Sequence, residues 1–354
     1  VEMRSAAAAL ALRRLAARTG RSRPSVVLAA VCALLSQRTG AEDLVFPTLA
    51  NNRAEQHLQG YIGTLVQTVL TRVEVGTASF DELVRRAWLA VAASSRRGMY
   101  DVDRRREIDR QVSSDRGIHF CFEPLFNSPL VDRPDDHEPP AAGPPVAVAA
   151  TTLARRPMRR TLTLLRFDLH EYDDVMHLEL WTGDTSRVSA DAAESMLHAL
   201  ERLLAVAAEG DVDHEQMART LDLPPLLPGP DLLRVDTSWV ELSEMQRLLN
   251  DAFGPGRAQI FPEVGGRQLV AYVAASESVA TPAQAHTDCM AALPGRHTAM
   301  APRHYVLCQV APDDPTDPAN WRSVVSEGSG RTGTDGGVPQ APDVAQATPA
   351  SMSG

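Results

Sequence analysis

Apolar residues recur at helical spacing from Arg4 to Arg38, with Arg23-Pro24 interrupting the pattern and Gly40 following its end, which predicts two helices, the second strongly apolar. Leu44 to Leu49 reads as a short buried strand, and the β-branched run IGTLVQTVLTRVEV predicts extended chain between Tyr61 and Val75. Leu83, Val84, Ala87, Trp88 and Val91 share one face of a helix within Phe80 to Met99, and Ile118 to Phe122 predicts another strand. Thr161 to His170 and Val175 to Trp181 alternate around Asp173-Asp174, the pattern of an antiparallel hairpin. An amphipathic helix follows from Ser189, a good N-cap, to Ala208.

The stretch LDLPPLLPGPD, Leu221 to Asp231, is too rich in proline for regular structure and marks a linker over 221–238. A smaller unit, 239–325, follows, with a helix at Leu242 to Ala252, a strand at Gln268 to Ala275, a helix near Pro282 to Leu293 and a strand at Tyr305 to Val310. Beyond Val325 the Gly, Ser, Thr and Pro composition cannot bury enough apolar area to offset ordering entropy, so 326–354 is predicted to be a disordered tail. Pro134 to Pro145, rich in proline and acid, is predicted to be an exposed loop.

Composition narrows the chemistry. The chain has 354 residues and no lysine, all 35 basic residues of the Lys+Arg class being arginine, so no amine nucleophile, Schiff base or P-loop ammonium is available. A formal charge of -10 and a pI near 5.5 argue against nucleic-acid binding. Cys32, Cys121, Cys289 and Cys308 are widely separated in apolar runs, which suggests reduced, buried thiols and a cytoplasmic location. The apolar run Ser25 to Ser36 is too short to span a bilayer, so no membrane association is predicted. Val1 reads either as a literally translated GTG start or as the edge of a longer polypeptide.

Residues 23–75 resemble the C-terminal lobe of the condensation domains of nonribosomal peptide synthetases, where a buried helix leads to a Thr-Gly turn, a strand, an Asn-Arg pair and Ile-Gly-x-x-Val-Asn-x-x-x-x-Arg. Gly40, Asn52-Arg53, Ile62-Gly63, Val66 and Arg72 match, and Gln67 replaces the usual Asn. The resemblance implies a chloramphenicol-acetyltransferase-like α/β (α+β sandwich) lobe over 1–220. It also implies that Asn52, Arg53, Gln67 and Arg72 are interlobe or substrate-tunnel positions. The unit at 239–325 is similar to the small α+β C-terminal subdomain of adenylation domains: Trp239 to Met245 matches Val-Glu-Leu-Gly-Glu-Ile, and Arg267 to Val273 matches Leu-Val-Ala-Tyr-Val. The family's Pro-Asn-Gly-Lys loop is replaced here by sequence around Pro318-Ala319-Asn320-Trp321.

The resemblance also shows what is missing. Condensation domains carry His-His-x-x-x-Asp-Gly, whose second histidine positions or deprotonates the attacking amine, and no such motif occurs here. Adenylation needs a terminal lysine for transition-state charge, and Arg322 is displaced from that site. No catalytic residue and no directly bound cofactor is therefore assigned. The implied partners are other synthetase modules or carrier proteins, which present phosphopantetheine-linked substrates. Three functions follow from the resemblance: a truncated, noncatalytic synthetase component in antibiotic or siderophore biosynthesis, the C-terminal half of a split condensation enzyme, or a docking or scaffold subunit.

Three further groups bear on the site. Asp168, His170, Asp173, Asp174 and His177 could be drawn as metal ligands but read as a polar outer strand face with an acidic turn, so no metal site is assigned. Arg155, Arg156, Arg159 and Arg160 could meet a phosphate or an acidic carrier but read as a solvated loop. Asp101 lies near the family's His-Gln-Asp, with Met99-Tyr100 in place of the first two residues, and reads as structural.

Overall fold

A computed structural model describes residues 1–53, 56–120, 122–128, 151–157, 163–171, 173–226, 229–235, 238–262 and 269–331. The elements, in chain order, begin with β1 (Glu2–Ser5), α1 (Ala6–Thr19), α2 (Arg23–Thr39), β2 (Asp43–Ala50), α3 (Gln56–Gln59), β3 (Gln67–Glu74), α4 (Phe80–Ser95) and α5 (Val102–Arg116). They continue with β4 (Leu125–Asn127), β5 (Thr152–Ala154), β6 (Leu165–Glu171), β7 (Met176–Thr182), α6 (Ala190–Glu209) and α7 (His214–Leu221). The remainder are β8 (Leu232–Val235), β9 (Ser238–Glu241), α8 (Leu242–Phe253), β10 (Ala258–Pro262), β11 (Leu269–Ala274), α9 (Pro282–Ala292), β12 (His304–Cys308) and β13 (Val324–Gly328). The architecture is mixed α/β. No helix among the described residues is long and apolar enough to cross a membrane.

The chain divides into two compact units, one comprising Val1–Val102 and Cys121–Leu227, the other Asp103–Phe120 and Pro228–Gly354. In the first, a five-stranded sheet of order β4-β6-β7-β1-β5 accompanies the two-stranded β2-β3 ladder. Alternation along β6 and β7 sends Phe167, Leu169, Met176, Leu178 and Leu180 into the core with Met3 of β1. The opposite face of those strands carries Glu2, Asp168, His177 and Glu179. Helix α2 is apolar nearly all round and is buried from Val26 to Leu35, so packing, not amphipathicity, holds it. Its ends are set locally: Ser22 Oγ accepts from Ser25 N, and Gly40 takes a left-handed φ of 69° that a Cβ would strain.

In the second unit, a four-stranded sheet of order β10-β11-β12-β13 packs on α8 and α9, and β11 and β12 run parallel across the α9 connection. Thr281 and Gln284 form a capping box that starts α9. His286 on α9 donates from Nε2 to Ser114 O at 2.9 Å, and burial holds its imidazole below the ordinary range. Cys32 and Cys289 are buried, and burial pushes the Cys289 thiol up to about 12, so it is an unreactive thiol at neutral pH. Cys121 lies outside the described residues.

Several boundaries differ from the sequence reading. Glu2–Ser5 is a strand where helical spacing had been traced from Arg4, because Ser5 caps α1 and ends the extended segment. The stretch 118–120 is not strand, and β4 begins instead at Leu125. Helix α5 has no buried residue and no apolar stripe; intrahelical pairs such as Arg105–Asp109 hold it, and these leave no hydrophobic period to read. It belongs to the second unit, where Ala301 N donates to Gly117 O, although the sequence placed 103–120 in the first domain. Residues 232–235, expected in the linker, form β8 and pair with β9. Strand β13 runs to Gly328 because its backbone pairs with β12, so it takes in the first three residues of the expected tail, 326–328. The rest of the tail from 332 and the acidic loop at 134–145 lie outside the described residues.

Candidate functional site

The β2-β3 ladder pairs Asp43 with Glu74 at one end and Ala50 with Gln67 at the other. At the second end the chain turns at Asn52, whose φ of 55° is left-handed, a conformation that asparagine tolerates better than branched residues. Its Nδ2 donates to Leu65 O at 2.8 Å, to Gly98 O at 3.0 Å and to Gln67 Oε1 at 3.3 Å. Gln67 Nε2 in turn donates to Tyr100 O at 2.9 Å, and its Oε1 accepts from Tyr100 N at 3.2 Å. One amide thus ties the turn after β2 to the segment after α4, and a second amide closes the knot.

Gly98 is required here by close approach. A Cβ on it would stand 2.2 Å from Asn52 Oδ1 and 2.6 Å from the Cβ of Ala50. Arg53 works one layer out, donating from Nη1 to Tyr61 O and from Nη2 to Gly63 O, each at 2.7 Å. It therefore shapes the loop that carries the exposed Tyr61 and Ile62.

An open cavity of about 530 Å³ borders this knot, lined by Asn52, Gln67, Thr64, Val66, Met99 and Tyr100, with Leu65 and Asp101 completing it. Two of its apolar lining residues are open to solvent, Met99 at 62% and Val66 at 43%, and Tyr61 and Ile62 of the loop that Arg53 holds are exposed as well, Ile62 at 98%. A smaller cavity of about 330 Å³, between α2 and α7, is lined by Ala33, Ser36, Gln37, His214, Met217 and Leu221 among others.

Of the four residues singled out from sequence, the structure brings Asn52 and Gln67 into contact and sets Arg53 beside them. Arg72 stands apart. It lies toward the other end of β3, roughly 17 Å of strand from Gln67 at about 3.3 Å per residue, and makes an exposed two-pronged pair with Asp43 at 2.9 Å on each prong. Tyr100 and Gly98 were missed, since a main-chain contact and an absent side chain leave no local pattern. Asp101 lines the cavity rather than the interior.

The residues grouped as a polar strand face and acidic turn separate. Asp173 pairs with Arg23 on α2, and Asp174 is fully exposed. Asp168 is only 2% exposed, its carboxylate held by Arg166 and Asn127, so this part of the face is covered and not outer. Arg155 is exposed and pairs in solvent with Glu194 and Asp191, and those carboxylates hold its guanidinium well above the ordinary range. Arg156 lies against Glu2, and Arg159 and Arg160 lie outside the described residues.

Residues 2–132 match the family model of the condensation domain. The match contains β1 to β4 and the whole Asn52–Gln67–Gly98 arrangement. No curated protein matches the chain. Among solved structures, the first condensation domain of the calcium-dependent antibiotic synthetase is similar at 19% identity and a TM-score of 0.43, over 64% of this chain and 46% of that one. The X-domain from teicoplanin biosynthesis is similar at 19% identity and a TM-score of 0.44, over 61% and 48%. The SgcC5 protein from Streptomyces globisporus is similar at 17% identity and a TM-score of 0.42, over 59% and 48%. The chain spans just under half the length of these structures.

Proposed function

We propose that the chain is a component of a nonribosomal peptide synthetase, in which a condensation-type C-terminal lobe precedes a degenerate adenylation-type C-terminal subdomain, and that by itself it forms no amide bond. The observation that carries the reading is the lining of the large cavity. Its polar groups are the amides of Asn52 and Gln67 with Thr64, Tyr100 and Asp101, and no imidazole lines it. The two amides neither take nor give a proton at working pH, and the lining group able to accept one is the Asp101 carboxylate, not the imidazole that the resemblance assigns to accepting or orienting the proton of the attacking amine. The condensation-domain match over 2–132 supports the family part of the reading.

The second unit supports the absence of adenylation. Trp321, in the segment that stands in sequence where the resemblance would put a lysine-bearing loop, is buried, donates from Nε1 to Pro315 O at 3.0 Å and packs near Tyr272. Arg322, the nearest cation in sequence, is exposed. The pathway product would be a peptide antibiotic or siderophore, and substrates would arrive as phosphopantetheine thioesters on carrier proteins.

The exposed apolar side chains Tyr61, Ile62, Val66 and Met99 favour a second reading within the same family, a split condensation enzyme whose partner supplies the His-His lobe, because exposed apolar surface commonly marks an association site. One assay tests both. The purified chain is mixed with donor and acceptor aminoacyl carrier proteins, alone and with a neighbouring synthetase polypeptide carrying the His-His motif, and dipeptidyl product is read by mass spectrometry. No product alone is expected. Product formed only with the partner supports the split enzyme, and product from the chain alone defeats the noncatalytic reading.

A further inference from the structure

The covered polar face of the five-stranded sheet holds an arrangement that the condensation reading does not use. Cross-strand register places Glu2 of β1 directly opposite Glu179 of β7, and Glu179 directly opposite Asp168 of β6. Three carboxylates thus stand side by side across three neighbouring strands, and Glu2 is 4% exposed and Glu179 14%. Like charges directly opposite one another on a sheet repel, and buried carboxylates require a cation or donors close by. Asp168 has them, from Arg166 at 2.6 Å and Asn127 at 2.8 Å.

Glu2 and Glu179 are served differently. Between them stands His177, its Nε2 3.2 Å from Glu2 Oε1 and 3.3 Å from Glu179 Oε1. That nitrogen is buried and makes no hydrogen bond, and neither does Glu2 Oε2, although Arg156 lies against the same oxygen. Arg4 reaches Glu2 Oε1 only at 3.5 Å. On the far side, His170 Nε2 lies 3.2 Å from Glu179 Oε2.

We propose that Glu2, His177 and Glu179 bind one divalent transition-metal ion of the zinc class, with His170 orienting Glu179 from behind. Donor atoms about 2.0–2.2 Å from a tetrahedral zinc ion sit roughly 3.3 Å from one another, and the spacings of His177 Nε2 to the two carboxylates are 3.2 and 3.3 Å. The three donor atoms all lie within 4.8 Å of one another. Imidazole with carboxylates is a ligand set that suits this class of ion. Two carboxylates neutralise the ion's charge, and the ion removes the repulsion between directly opposed glutamates. His170 stands in the outer shell that commonly fixes a ligating group. The site ties β1 to β7, and its three protein donors leave the fourth position of a tetrahedral ion to water.

The test uses the full chain, stripped with a chelator and titrated with Co²⁺, then with Zn²⁺. One equivalent of Co²⁺ should give visible d–d bands of a four-coordinate site, Zn²⁺ should displace them, and Zn²⁺ should raise the melting temperature. His177→Ala and Glu179→Gln should abolish the bands, and His170→Ala should weaken binding about 10-fold or more. X-ray absorption of the zinc-loaded wild type should show imidazole nitrogen and carboxylate oxygen, a readout that holds even if a variant does not fold. Absence of bands and of heat with the wild-type chain would overturn the proposal. So would sulfur ligation, or a His177→Ala spectrum identical to that of the wild type, since either puts the ion elsewhere.

Discussion

The β2-β3 ladder carries a polar cluster at each end, and the two ends are physically unlike. At one, Asn52 and Gln67 bond main-chain groups of Leu65, Gly98 and Tyr100. At the other, Arg72 and Asp43 meet in solvent, 69% and 48% exposed. Between them, Thr48, Thr71 and Ser94 form a buried hydroxyl chain with contacts of 2.7 and 2.8 Å that joins both strands to α4. A formal ion pair is thus expected to matter less than a neutral amide, because what counts is the cost of the group left behind when its partner is removed.

The comparison breaks or sharpens by substitution, read as urea midpoints at unchanged slope for the first unit. Gly98→Ala should have the largest effect, about 3 kcal/mol of destabilisation, since the new methyl group must displace Asn52 and Ala50 together. A loss below about 1 kcal/mol would mean that the knot is loose. Asn52→Ala should cost about 2 kcal/mol by stranding the carbonyls of Leu65 and Gly98; little change would show that water replaces the amide and that the contrast between the two ends is false.

Thr71→Val tests the middle of the ladder. It keeps shape, removes the hydroxyl shared by Thr48 and Ser94, and should cost about 1 kcal/mol. A neutral result would place the hydroxyl chain with the exposed end rather than the buried one. Arg72→Ala should be the mildest, below about 0.5 kcal/mol, and insensitive to context. Should it exceed Asn52→Ala, exposure would be the wrong guide to the energetics of this ladder.

The elements read most clearly from sequence were those with a local period and a local stop signal. Helices α1 and α2, parted near Arg23-Pro24 and ended at Gly40, and helix α6, started by Ser189, follow from spacing and stop signals, while the caps at Ser5, Gly20 and Ser22 are seen in the structure. The hairpin β6-β7 follows from alternation about an acidic turn. In the second unit, helices α8 and α9 and strands β11 and β12 fall within a few residues of their predicted bounds. Helix α5 escaped because a helix held by charge pairs has no apolar period. Pairing at Asn52 and Gln67 could be suspected from their match to a family pattern, but the same pattern included Arg72, which the strand carries away from them.

Sequence by itself therefore determined the identity of most elements, the absence of lysine and of a His-His motif, and the division of the chain near its proline-rich stretch. These are local or compositional properties, readable wherever the chain goes. Only the tertiary structure decided that residues 103–120 join the second unit, that Gly98 must be bare to admit Asn52, and that Glu2 faces Glu179 with His177 between them. Each of those depends on strand order, register or close approach between segments distant in the chain, and such contacts are set by which packing buries the most apolar area with its polar groups satisfied, not by any pattern within one segment.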